Sequence, residues 1–194
     1  MKYRVKIGHD ADCENPCDNC GAWKIYSFSN RHTNYRNPYD FLTESGKIRF
    51  EYQNKYRNGL LFPLQYFEHG LCRWDISGHG PRCRWDSVQL AGVAVWEESP
   101  ANMGAKTVAD RAKDLSAQLE EYSNWCNGQC YWFEIENAET GESLDSCAGF
   151  IGDYVIDGIR ESLPDDATEE NTEISSQYGF CAYDLFKPPK TVPA

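Results

Sequence analysis

A chain of 194 residues with 41% hydrophobic and 14% aromatic content has the length and the apolar material for a core, which argues against a disordered segment. Thirty Asp and Glu against nineteen Lys and Arg give a net charge of −11. That excludes generic binding to a phosphate backbone, which needs a cationic face, and leaves room for an acidic surface that occupies a basic groove on another protein.

Met1–Asp12 is charged and has no apolar run of the kind a signal peptide needs, and no stretch approaches the roughly 18 apolar residues of a membrane span. A cytoplasmic location is expected, specifically a bacterial host cytoplasm once the resemblance given below is taken into account. In that compartment the nine cysteines are expected as reduced thiols or metal ligands rather than a disulfide frame.

In chain order, Tyr3–Ile7 alternates apolar with cationic residues and reads as a strand. The run HDADCENPCDNCG that follows is a loop, shaped by Asn15-Pro16 and Asp18-Asn19 and closed by Gly21. Trp23–Phe28 resumes strand character. Asn37-Pro38 starts a short helix through Asp40–Glu44, Ile48–Tyr56 fits either type, and Asn58-Gly59 turns into the strand Leu60–Phe67. Val88–Trp96 reads as a strand buried on both faces. In Lys106–Cys126 the residues Val108, Ala112, Leu115, Leu119 and Tyr122 recur at helical steps, and Asn127-Gly128 supplies the stop. Tyr131–Glu136 and Ser143–Cys147 read as a hairpin, Asp153–Leu163 as a second helix ended by Pro164, and Asp165–Glu173 as an acidic loop with five carboxylates. Tyr178–Phe186 reads as a last strand or docked segment. The expected class is α+β, a mainly antiparallel sheet with one long amphipathic helix (about 106–126) and a shorter one (about 153–163) packed on it. Residues 1–186 form a single globular domain in this reading, and 187–194, with three prolines, a loose C-terminal tail.

Two places carry candidate chemistry, and each has a plain structural reading beside it. Cys13, Cys17 and Cys20 fall within eight residues on a loop, with His9 able to complete a zinc site of four ligands. The spacing lacks the paired C-x2-C arrangement of structural zinc sites, so a turn-rich loop with small buried thiols is the simpler reading, with no cofactor, and zinc its alternative. The stretch Tyr66–Ser87 contains Cys-Arg-Trp-Asp twice, at Cys72–Asp75 and Cys83–Asp86. Pairing the copies as a hairpin about His79-Gly80 sets Arg73 against Asp86 and Asp75 against Arg84, two opposite-charge pairs worth about 0.2–1 kcal/mol each. The tip then leaves Ser77, His79 and Arg82, with nearby Glu68-His69, as groups for an anion, and His69, Ser77, His79 and Arg82 are the candidate ligand-binding residues. Asp145-Ser146-Cys147 resembles a nucleophile beside an acid, but no histidine follows it. Catalytic residues are therefore not assigned.

Asp12-x-Glu14-Asn15-Pro16-Cys17-Asp18 with Gly21-x-Trp23, then Tyr66-x-Glu68-His69-Gly70, Gly80-Pro81-x-Cys83-Arg84-Trp85-Asp86 and Ala91-Gly92-Val93, and finally Asn127-Gly128 with Asp145-Ser146-Cys147-x-Gly149-Phe150-x-Gly152, resemble a family of uncharacterised bacteriophage and plasmid-borne acidic proteins over about the first 160 residues. The resemblance implies a phage accessory protein. Together with the charge, it leads to the expectation of a non-enzymatic protein that interferes with a host defence pathway by binding a host protein through its acidic surface. Sequestration of an anionic nucleotide at the 77–82 hairpin tip is one alternative, and a zinc- or thiol-dependent enzyme built on His9, the Cys13/Cys17/Cys20 loop, His69 and Asp145 is another.

Overall fold

The strand and helix periodicities take shape in the computed structural model, which describes residues 1–18, 21, 23–27 and 37–186. In chain order its elements are β1 (Tyr3–His9), β2 (Lys24–Ser27), α1 (Gln53–Arg57), β3 (Leu61–His69), β4 (Leu71–Ile76), β5 (Ser87–Val95), α2 (Val108–Cys126), β6 (Cys130–Asn137), β7 (Ser143–Ile151), α3 (Tyr154–Ser162), β8 (Thr172–Ser176) and α4 (Ala182–Phe186). The class is α+β. There are two four-stranded sheets rather than one, ordered β7-β6-β1-β8 and β2-β5-β3-β4, and every strand pairing is antiparallel except that of β1 with β8. The chain divides into two compact units, Met1–Cys13 with the segment from Gly128 onward, and Glu14–Asn127. The division follows from pairing: β1 joins β6, not a strand near it in sequence, and the whole second unit is inserted between these two neighbours.

In the first unit, Val5 and Ile7 of β1 and Tyr131, Phe133 and Ile135 of β6 point to one face, where Val155, Ile156 and Ile159 of α3 and Leu185 of α4 close the core. Gly158 permits that closure, since a Cβ there would stand 2.3 Å from the Phe150 ring. In the segment read as a last strand or docked segment, Ala182–Phe186 is the helix α4, docked on the core through Leu185, and the last strand is β8, which takes in Glu173 of the expected acidic loop. The error has a local cause: Thr172–Ser176 is short and carries Glu and three Ser/Thr, so its apolar content is too low to stand out.

In the second unit α2 forms as its periodicity requires. Thr107 and Asp110 make a reciprocal capping box, and Leu115, Leu119 and Tyr122 are buried against Trp23, Leu64, Trp74 and Ala94 of the sheet. Val108, expected on this stripe, is exposed in the first turn. On the opposite face Leu61, Val93 and Val95 are covered by Phe41 and Leu42. Asn37 caps only a single 3-10 turn, Pro38–Asp40, where the sequence reads as a short helix to Glu44. A Cβ at Gly92 would meet the Tyr26 carbonyl at 2.1 Å, so this glycine is what lets β2 pair with β5.

The doubled tetrad does not form a hairpin. β4, which holds Cys72–Asp75, pairs with β3 across a turn at Gly70 (φ +86°), with Trp74 opposite Tyr66 and Arg73 opposite Phe67. Cys83–Asp86 is a turn leading into β5, and β5 lies on the other side of β3. Residues 77–86 are thus a crossover that spans β3, not a tip. Buried Gln65 secures it by accepting from the Gly78 N–H (2.9 Å) and donating to the Pro81 carbonyl (3.1 Å). A shift of register between Leu64 and Tyr66 opens β5 at this point, and the Ser77 hydroxyl takes up the Gln89 carbonyl there at 2.6 Å. The charge pairing proposed for the hairpin is replaced by one within a strand: Arg73 donates to both oxygens of Asp75, at 2.8 and 3.0 Å. Local alternation within each tetrad was a poor guide because β3, equally apolar and already adjacent through a single glycine, is the nearer partner for β4.

Candidate functional site

Charge is divided unequally between the units. The first contains six Lys and Arg against sixteen Asp and Glu, a net −10, and the second thirteen against fourteen, a net −1; together they make the −11 of the whole chain. Three of the four described Lys and Arg of the first unit, Arg4, Lys6 and Arg160, are engaged. Lys6 contacts Glu134 (3.2 Å) and Glu136 (2.5 Å), and Arg4 contacts Glu136 (2.9 Å) and Glu173 (3.6 Å). This ladder of alternating charge lies on the sheet face opposite α3. Its hydrogen bonds from Lys6, then Arg4, hold the buried Glu136 carboxyl below the usual carboxylate range, and Glu136 and Glu134 in turn raise Lys6. Arg160 binds Asp157 and the carbonyls of Asp184 and Leu185. Against these, Asp12, Glu139, Glu142, Asp145, Asp153, Asp165, Glu169 and Glu170 all stand exposed.

The acidic surface is arranged around one sheet edge. Among the described residues β7 is an outer strand with β6 as its sole neighbour, and Ser143 through Gly149 are exposed on both faces. Asp145 accepts from the Ser146 N–H at 2.8 Å, and Asp10 accepts from the Gly149 N–H at 2.9 Å. The acidic loop after α3 is knotted by Asn171, which accepts from the Thr168 N–H, donates to the Asp166 carbonyl, and through its own carbonyl receives the Tyr3 N–H. Asp166 also takes the Tyr3 hydroxyl, which raises the phenol above its ordinary value. This loop is therefore an ordered acidic feature.

The residues singled out from sequence are distributed differently. His9 ends β1 and Cys13 lies in the loop after it, both in the first unit, whereas Cys17 belongs to the second. Cys20 lies outside the described residues. Cys13 contacts the buried Cys130 thiol, which desolvation pushes up to about 12. Cys17 is buried beside Gln118 (3.5 Å) and is also pushed up to about 12 by desolvation. Contact with Cys72, then burial, raises the Cys126 thiol as well. These thiols resist ionisation, and a thiolate is what nucleophilic attack requires. Among the described residues no three His, Cys, Asp or Glu side chains converge as a set of metal ligands. Cys147 is exposed on β7, and the one histidine of its unit, His9, has its Nε2 near Gly128 instead.

Of the four ligand-binding candidates, Ser77 has its hydroxyl engaged by Gln89, and the amides of Gly78 and His79 are taken by Gln65 and the Ile76 carbonyl. His69, at the end of β3, lies 3.4 Å from Asp86 and is otherwise exposed. His79 and Arg82 sit on the crossover. On it Trp85 is 84% exposed, with the Arg84 guanidinium 5.2 Å from its ring centroid. Sequence reasoning missed the β7 edge and the charge division, although a signal existed: no Lys or Arg occurs between Lys113 and Arg160. No family model, curated protein or solved structure matches this chain. Among the described residues no helix is long and apolar enough to cross a membrane.

Proposed function

We propose that the protein acts by binding, and that its first unit presents an acidic surface to the cationic, nucleic-acid-binding site of a host protein. The observation that carries this reading is the net −10 of the first unit, with Arg4, Lys6 and Arg160 already engaged by carboxylates and carbonyls of that unit. A dense array of exposed carboxylates raises association rates with a basic groove and repels nucleic acid, so it competes for the groove without resembling the ligand in shape. The likeness to phage and plasmid proteins supports a bacterial defence component as the partner, encountered in the host cytoplasm.

Sequestration of an anionic nucleotide is the second reading. It is supported by the Arg84–Trp85 pair, a stacking surface beside a cation, together with His79 and Arg82 on the same crossover. The engaged hydroxyl of Ser77 and amides of Gly78 and His79 weigh against it. A zinc- or thiol-dependent enzyme has less support still, since Cys17, one of its thiols, is buried and pushed up to about 12 by desolvation.

Capture from bacterial lysate separates these readings when wild type is run beside a chain carrying Glu139→Gln, Glu142→Gln, Glu169→Gln and Glu170→Gln. The expected result is a protein that is retained by wild type, is reduced at least about tenfold by the four substitutions, and is released near 0.5 M salt. Retention that survives both the substitutions and the salt would sink the acidic-surface reading. A nucleotide in the eluate with no protein partner would replace it with the second.

A further inference from the structure

We propose that the outer edge of β7 is a docking strand, which takes up a short extended segment bearing Lys or Arg from the partner protein. The inference rests on the reading of the first unit as an acidic binding surface and specifies where, and in what conformation, the partner is held.

An outer strand presents unpaired N–H and C=O groups, and sheet proteins ordinarily guard such edges with lysine, proline or a covering segment. Among the described residues β7 has none of these. Its sequence, SLDSCAGFI, contains no Lys, Arg or Pro, nor does the chain from Cys130 to Ile159, and both faces of Ser143–Gly149 are open. Its partial guards are the register breaks at either end of Asp145–Cys147 and the carboxylate of Asp145. The Ser146 N–H, in a residue aligned with Glu134 of β6, donates to the carboxylate of Asp145 next to it. A carbonyl from an incoming strand can replace that carboxylate. The exchange leaves Asp145 free to pair with a cationic side chain on the new strand, so one event supplies both a main-chain hydrogen bond and an ion pair.

Charge selects the occupant. Glu139 and Glu142 precede the strand, Asp145 lies within it and Asp153 follows it, all exposed. A second copy of this chain would bring two surfaces of net −10 together, which Coulomb repulsion opposes. An acidic or neutral segment gains no ion pair in exchange for the Asp145 contact. The length of the segment is bounded as well. Register breaks on either side of Asp145–Cys147 leave a short regular edge, so the docked strand spans about five residues.

The test uses the full chain and a nonapeptide of alternating lysine and valine, set against the same peptide N-methylated at alternate residues, which keeps its charge but cannot pair as a strand. The unmodified peptide should bind at low salt and slow hydrogen exchange at the Ser146 amide. N-methylation, or Ser146→Pro in the protein, should weaken binding at least about tenfold. Proline is tolerated here because the Ser146 N–H serves the Asp145 side chain; an unchanged thermal midpoint confirms that the fold is intact. Equal binding of the two peptides would overturn the docking strand and leave the acidic-surface reading standing, since charge alone would then suffice. Binding of neither peptide would overturn it too, with the salt-sensitive lysate capture still free to succeed. A dimer by light scattering, with Ser146 protected before peptide is added, would overturn it in favour of a second copy.

Discussion

The two units use charged residues in opposite ways. In the second, cations are tied to main-chain carbonyls: Lys24 to Cys17, Lys55 to Trp96, Arg49 to Tyr39 and Leu42, and Arg111 to Asn58 and Ala105. Its carboxylates cap and clamp, with Asp110 in the capping box of α2, Asp114 on the Trp23 indole and Glu98 on the Gly21 amide. Charge there is nearly balanced and holds loops in place. In the first unit the cations are too few to be shared out, and carboxylates such as Glu139, Glu142, Glu169 and Glu170 face solvent. Structural charges are consumed by the fold, so an excess that the fold does not consume is the stronger pointer to function. By that standard Tyr66–Ser87, which attracts attention in the sequence, is largely structural, and the acidic unit is where binding is to be sought.

The largest effect is expected where polar groups of the second unit are most deeply committed. Gln65→Ala leaves the Gly78 N–H and the Pro81 carbonyl of the crossover without partners, and should lower stability by about 2–3 kcal/mol in urea unfolding. Gln65→Glu retains the acceptor for Gly78 and loses the donor for Pro81. Its deficit should shrink as pH falls and the carboxyl protonates, which a mere volume effect would not reproduce. If Gln65→Ala unfolds like wild type, the crossover is not held as described and the contrast between the units weakens.

A smaller effect separates the units by pH. Glu136 has its pKa depressed below the ordinary 4.5, so its contribution to stability is present above about pH 4.5 and is lost as pH falls through the lower, folded-state value. Glu121 of α2 has the opposite sign: burial raises its pKa, so protonation on acidification favours the folded state. The thermal midpoint of wild type should therefore decline between about pH 5 and 3, the decline should be shallower in Glu136→Gln, and it should be steeper in Glu121→Gln. Equal pH profiles for all three chains would mean that neither environment is as described.

Much of the fold is legible in the sequence where the periodic signal is long and local. The stripe Leu115–Leu119–Tyr122 specifies α2, and the alternation in Tyr3–Ile7 specifies β1. What sequence could not supply is which strands become neighbours. Val5 fits a half-buried strand equally well whether its partner is Ile135 or a residue in the next segment, and only tertiary pairing makes Ile135 that partner and so divides the chain in two. The site residues suffered from the same ignorance. Ser77 and the amides of Gly78 and His79 look free in a hairpin tip, and in the fold are engaged by Gln89, Gln65 and the Ile76 carbonyl. Conversely, the β7 edge has no motif, because an edge is defined by the absence of a neighbour.

The smallest effect decides between the two pairings of the repeated tetrad, and with it whether surface charge in the second unit sets register or follows it. A hairpin of the two copies would couple Arg73 to Asp86. In the fold Asp86 lies beside His69 at 3.4 Å, and Arg73 is paired with Asp75 two residues along its own strand. Double-mutant cycles should return a coupling of about 0.2–1 kcal/mol for Arg73 with Asp75, and none measurable for Arg73 with Asp86. The magnitude is small because Arg73 is more than half exposed and water screens the pair. A measurable Arg73–Asp86 term would restore the hairpin and return 77–82 to its tip. A null value there, with coupling to Asp75 intact, would mean that β3 and the Gly70 turn set the register and the charges merely accommodate it, which is the sense in which the second unit's charge is structural.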